Sequence, residues 1–179
     1  MLSSDQAILL VIDVQGKLAR VVNESESHVA SVVKLVEGAK LFELPILLTA
    51  QVPEKIGHTI PEVASLLPEQ EDIPRVSFSV YRDEKVRRQI EKTGRKQALL
   101  CGFESHICLY QTSLDMLADG YEVYLVADAV SSRDPFNKTI TLQELRGEGV
   151  HLTTVEMAFF AILRDASHPQ FKAIARLIR

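Results

Sequence analysis

Residues 7–14 read AILLVIDV, an almost unbroken aliphatic run where a strand with one wet face would alternate apolar and polar side chains. Such a strand needs cover on both faces. Similar short runs recur at residues 45–50 (PILLTA), 98–103 (ALLCGF), 122–127 (EVYLVA) and 150–154 (VHLTT), so the pattern predicts five strands. Between them the apolar spacing changes to threes and fours, at Val29, Val32, Val36 and Ala39 and again at Phe171, Ile174 and Ile178, which is helical. Gly120, Gly147 and Gly149 stand where helix C-caps would release the chain into the next strand. Strands alternating with helices imply right-handed crossovers and a mostly parallel sheet between two helical layers. The expected fold class is therefore α/β, a three-layer α/β/α sandwich of Rossmann-like type, formed as one domain over residues 1–179. Pro53, Pro61, Pro68 and Pro74 crowd into residues 52–81, which read as loop with one or two short helices.

Composition narrows the function. Lys and Arg number 20 against 24 Asp and Glu, a formal charge of −4, which gives no cationic footprint for nucleic acid. No apolar stretch reaches the roughly 18 residues of a membrane span, and residues 1–6 are short and polar without a basic segment followed by an apolar one, so neither a membrane span nor a secretion signal is expected. Two cysteines, Cys101 and Cys108, make no disulfide framework, so a reducing, cytoplasmic setting is expected. The five histidines show no ligand spacing, and neither a Walker loop nor a dinucleotide fingerprint occurs; no metal and no cofactor are expected.

In an open α/β sheet, ligands bind beyond the carboxyl ends of the strands, near the point where strand order reverses. Asp13 closes the first run and Cys108 follows the run ending at Phe103, so both belong to that edge. A cysteine in the first turn of a helix has its thiolate stabilised by the macrodipole, and a nearby carboxylate can take the thiol proton. That pair, with a cation beside it, could hydrolyse an acyl compound.

The segments LLVIDVQGKL, TAQVPEKIGHTIPE, FSVY, CGFESHICLYQTSLDMLADGYEVYLVADAVSSR and GVHLTTVEMAFFAILRDASHPQFKAIARLIR resemble the isochorismatase-like cysteine hydrolase family, in its isochorismatase domain-containing branch. The resemblance covers nearly the whole chain. It implies an Asp, Lys and Cys triad, with Asp13 as acid or base and Cys108 as nucleophile. The lysine's place, before Phe78-Ser79, is held by Arg75, a wider group that stays charged and cannot shuttle a proton. The resemblance also implies a non-proline cis peptide at Phe103–Glu104 that aims backbone N–H groups, including those near Ile107 and Cys108, at the substrate oxygen. Gln51 is placed at the pocket. Substrate-binding residues are thus expected to be Gln51, Phe103, Glu104 and Ile107, in a homo-oligomer of two or more copies. The expected activity is hydrolysis of a small amide or related acyl compound through a Cys108 thioester. The alternative is a weak or inactive ligand- or partner-binding module, because Arg75 replaces the lysine.

Overall fold

All five aliphatic runs form strands in the computed structural model, which describes residues 1–179, and a sixth strand joins them. In chain order the elements are β1 (Ala7–Ile12), α1 (Leu18–Val21), α2 (Ser25–Leu41), β2 (Ile46–Gln51), α3 (Pro53–Ile56), α4 (Pro61–Ala64) and β3 (Ile73–Arg75). Then come α5 (Glu84–Lys92), β4 (Gln97–Phe103), α6 (Tyr110–Ala118), β5 (Glu122–Ser131), α7 (Pro135–Gly147), β6 (His151–Thr153), α8 (Val155–Leu163) and α9 (Phe171–Leu177). The strands lie in the order β3-β2-β1-β4-β5-β6, and every pairing is parallel. The order reverses between β1 and β4, so the crevice expected of such a sheet opens over their carboxyl ends.

The continuous run of β1 is explained by burial on both sides. Leu9 and Val11 join a core with α2, α8 and α9, while Ile8, Leu10 and Ile12 join a second core with α5, α6 and α7. This is the three-layer sandwich. At about 25 cal/mol per Å² of buried apolar surface, these two cores supply the main drive for folding.

Three details depart from expectation. The sixth strand, β3, lies inside the proline-rich stretch, where α3 and α4 also form. It has only three residues and includes Pro74, whose missing N–H is tolerated because β3 is at the sheet edge. β5 runs to Ser131 instead of Ala127, since a register shift opposite Leu100 and Gly102 carries the half-buried Ala127 and Asp128 past β4 before pairing resumes. β1 stops at Ile12 because Asp13 takes a left-handed conformation, φ 54°, which short polar side chains tolerate better than most.

Two glycines let strand ends crowd together. A Cβ on Gly102, at φ 120°, would lie 1.8 Å from the Ile12 carbonyl oxygen, and one on Gly16, at φ 42°, would lie 1.9 Å from the Ile56 carbonyl oxygen. Only glycine fits at such approaches. They press β4 against β1, and the segment after α3 against the turn that follows Asp13.

Candidate active site

The left-handed turn at Asp13 places its carboxylate beneath the sheet edge, 1% exposed, with its backbone N–H donating to the Thr49 carbonyl at 3.0 Å. β3 delivers Arg75 to the same place. The Arg75 Nη2 donates to Asp13 Oδ2 at 2.5 Å, and its side chain is fully buried. The second arm of the fork, Nη1, donates to the Ser77 carbonyl. An ammonium on a flexible stem could not hold both partners with one planar group. The other carboxylate oxygen, Asp13 Oδ1, is buried without a hydrogen-bond partner, as is Arg75 Nε.

Cys108 comes from the β4 side. The Phe103–Glu104 peptide is cis, as the family resemblance implies, and leads into a π-helical turn, Ser105–Leu109, that precedes α6. Cys108 therefore lies in the π-turn and not in the first turn of an α-helix. It is 4% exposed, and burial pushes its thiol up to about 12; the Asp13 charge adds to the rise while Arg75 opposes it. The expectation of a resting thiolate is overturned, because desolvation outweighs the stabilisation that a helix terminus and a cation provide. Burial also raises the Asp13 carboxyl above its ordinary value, against the pull of Arg75, of the Cys108 thiol and of the Gln51 backbone. Both acids are thus pushed toward their neutral forms, and each feels the other. Cys101, by contrast, is sealed inside β4, with its thiol raised by burial alone.

The other expected site residues divide. Gln51 ends β2 beside the pair, half-buried, and its side-chain amide donates to the Val76 carbonyl at 3.3 Å. Ile107 is half-buried and packs with the core that holds Cys108, but its N–H is engaged by the Glu104 carbonyl at 3.2 Å. That N–H is not the free oxyanion donor the sequence suggested. Phe103 contributes backbone only, since its side chain is fully buried in the α2-side core. Glu104 turns to Arg133, whose backbone N–H and Nε both donate to Oε1 at 3.0 Å. Burial raises the Glu104 carboxyl, but the Arg133 hydrogen bonds outweigh it and hold the group below its usual value. The carboxylate ties the π-turn that carries Cys108 to the chain just after β5.

Two supporting residues escaped the sequence reading. Gln15 is fully buried, and its amide accepts from Gln51 N–H at 2.7 Å and donates to the carbonyls of Gln51 at 3.0 Å and Gly57 at 2.7 Å. It locks the end of β2 and the segment after α3 onto the Asp13 turn. Its place in VIDVQ was the only signal. Thr112, one turn beyond Cys108 on α6, accepts from Val80 N–H at 2.9 Å and so joins the segment after Arg75 to the helix that follows Cys108; nothing in the sequence marked it. Replacing Gln15 by Ala is expected to cost about 2–3 kcal/mol, because two backbone carbonyls and an N–H lose their buried partner. Urea unfolding measures this, and a loss under about 0.5 kcal/mol, the range of neutral surface changes, would contradict the clamp.

No group of three or more His, Cys, Asp or Glu side chains is arranged to hold a metal ion, and no helix is long and apolar enough to cross a membrane. Among known proteins, the isochorismatase domain family model matches residues 7–157. The chain is similar to the secreted isochorismatase effector Isc1 of Phytophthora sojae, 34% identical over 97% of this chain and 84% of that protein. It is likewise similar to isochorismatase domain-containing protein 2A of Mus musculus, 35% identical over 98% and 84% respectively. A solved structure from Caenorhabditis elegans, named MAR1 ribonuclease, superposes with a TM-score of 0.91 at 29% identity, covering 98% of this chain and 91% of that one.

Proposed function

Because the chain belongs to the isochorismatase family and has that family's hydrolase fold, we propose that it is a cysteine hydrolase acting on a small amide or related acyl compound. The observation that carries this reading is the buried Asp13–Arg75 ion pair, with the Cys108 thiol coupled electrostatically to both. In the first step Cys108 Sγ attacks the substrate carbonyl while its proton passes to Asp13. The raised resting pKa of the thiol does not forbid this. Moving a proton from sulfur to carboxylate keeps a single negative charge beside Arg75, so the burial that disfavours each anion largely cancels between them. The Cys108 N–H serves as oxyanion donor, and protonated Asp13 then supplies the leaving amine with its proton. Water activated by Asp13 finally releases the acyl group from sulfur. Arg75 stays charged throughout and transfers no proton.

Small size of the acyl group follows from the depth of the sulfur. Nucleic acid as substrate runs against the net charge of −4, although the Caenorhabditis elegans relative bears a ribonuclease name. The mechanism needs an unoxidised Cys108, and both cysteines are free thiols, which supports a reducing, cytoplasmic setting. Self-association into a dimer or larger assembly is part of the same proposal. Phe136 and Ile140, one turn apart on α7, are exposed apolar side chains suited to burial between copies.

The test is to trap the intermediate. Incubation with activated esters and amides of short acids, followed by acid quench and peptide mass spectrometry, is expected to find the acyl mass on Cys108 and none on Cys101. Asp13→Asn should suppress that adduct. Turnover of a substrate without any acylated Cys108 peptide, under conditions where deacylation is slowed, would remove the thioester mechanism.

A further inference from the structure

A second pair of reactive groups lies between α2 and α7. Lys138 Nζ lies 2.7 Å from His28 Nε2, and His28 Nδ1 lies 2.9 Å from the Glu24 carbonyl oxygen. Since a carbonyl can only accept, Nδ1 carries the proton there and the Nε2 lone pair faces the lysine. His28 is 5% exposed, so its ring is held in place, whereas Lys138 is half-buried and still reachable. A nucleophile within hydrogen-bond reach of a base, with that base oriented by a third group, is the arrangement that activates a side chain for acyl transfer. Its acceptor at that distance is an imidazole, which can take a proton, where a surface lysine would usually meet a carboxylate.

We propose that Lys138 is an acyl-accepting amine, modified by small acyl thioesters of the coenzyme A type with His28 as the base. The Nζ lone pair attacks the thioester carbonyl, His28 Nε2 takes the proton that nitrogen sheds, and the C–S bond breaks. An Nε-acyl-lysine forms, and the thiol leaves with that proton. No oxidant or other co-reactant enters. Burial lowers the Lys138 pKa from its ordinary value, with the charges of Glu24 and Asp128 opposing the fall, which enlarges the fraction of free amine near neutral pH. The modification would convert a partly buried cation to a neutral amide next to Glu24 and Asp128, a change of local charge independent of the Cys108 chemistry.

The unaltered protein is incubated with acetyl-coenzyme A near neutral pH, and acetylation at each lysine is followed by mass spectrometry. Lys138 is expected to react about 10-fold or more faster than the exposed Lys17 and Lys55, since positioned general bases contribute roughly 10²–10⁴-fold. In His28→Gln the rate at Lys138 should drop to that of the exposed lysines. A rate at Lys138 no greater than theirs, or one unchanged by His28→Gln, would overturn the proposal. Should that variant fail to fold, the pH series of the unaltered protein decides. The rate ratio of Lys138 to Lys17 must shrink as pH rises toward the ordinary lysine value of about 10.4, and a constant ratio overturns the proposal.

Discussion

Cys108→Ala is expected to abolish turnover, with kcat falling on the order of 10⁴–10⁶-fold, the range seen when a nucleophile is removed from a catalytic unit whose members act together. What survives would be the contribution of binding and of the oxyanion donor alone. The fold should hardly notice. Cys108 packs as a small apolar group in the α5–α7 core, so losing its sulfur should cost about 1 kcal/mol. The measurement is steady-state turnover on the best substrate of an amide and ester panel, paired with urea unfolding of the same preparations. Undiminished kcat in a folded variant would eliminate the Cys108 mechanism, while a variant that loses activity only because it unfolds would show up in the denaturation curve. Cys108→Ser separates the roles further, because it keeps the size and removes the soft sulfur nucleophile.

Arg75→Ala should produce the largest loss of stability, about 3–5 kcal/mol at neutral pH, the penalty for leaving a buried charge without its partner. The Asp13 carboxylate is 1% exposed and has Arg75 as its only ion-pair partner, with Oδ1 already unpartnered. The loss should depend on pH in one direction. Burial raises the Asp13 pKa in the folded protein, and Arg75 restrains that rise. Without Arg75 the folded-state value climbs further above the unfolded one. Between those two values the folded state holds more protons than the unfolded state, so stability falls as pH rises through that window. The penalty therefore grows as pH rises through that window and fades as acid neutralises Asp13. Urea unfolding of Arg75→Ala and the unaltered chain at pH values spaced from neutral down toward the ordinary Asp range would trace this. A stability difference that is flat with pH, or that grows in acid, contradicts the assignment. Removing both charges, as Asp13→Asn with Arg75→Met, should recover much of the stability while leaving no activity. Arg75→Lys keeps the charge but cannot grip Asp13 and the Ser77 carbonyl together, and should be intermediate in both respects.

How much of this was legible in the sequence depended on whether a residue's role was set by its neighbours along the chain. Covered strands show up as aliphatic runs whatever else surrounds them, so β1, β2, β4 and β5 could be found one by one, and the edge strand β6 by its short run VHLTT after the glycines that end α7. β3 could not, because three residues that include a proline and an arginine carry no pattern; they form a strand only because β2 offers an edge. Asp13 and Cys108 were visible because a strand end at the sheet's carboxyl edge is a position that topology makes significant. Arg75 was visible through family resemblance alone. The expected low pKa of Cys108 failed for a related reason. A helix terminus can be read from sequence, but the removal of water from a sulfur cannot, and here burial is the stronger effect.

The amino-acid order by itself determined the alternation of strand and helix, the parallel sheet, and which strand ends would carry an acid and a thiol, because each follows from periodicity within a few consecutive residues. Only the tertiary structure decided that Arg75 buries its whole side chain against Asp13, that Gln15 and Thr112 lock the supporting segments, that Glu104 serves Arg133, and that Lys138 meets His28. Those contacts join residues dozens of positions apart, and their energies depend on exclusion of water, a property of the packed assembly that no single stretch of chain possesses.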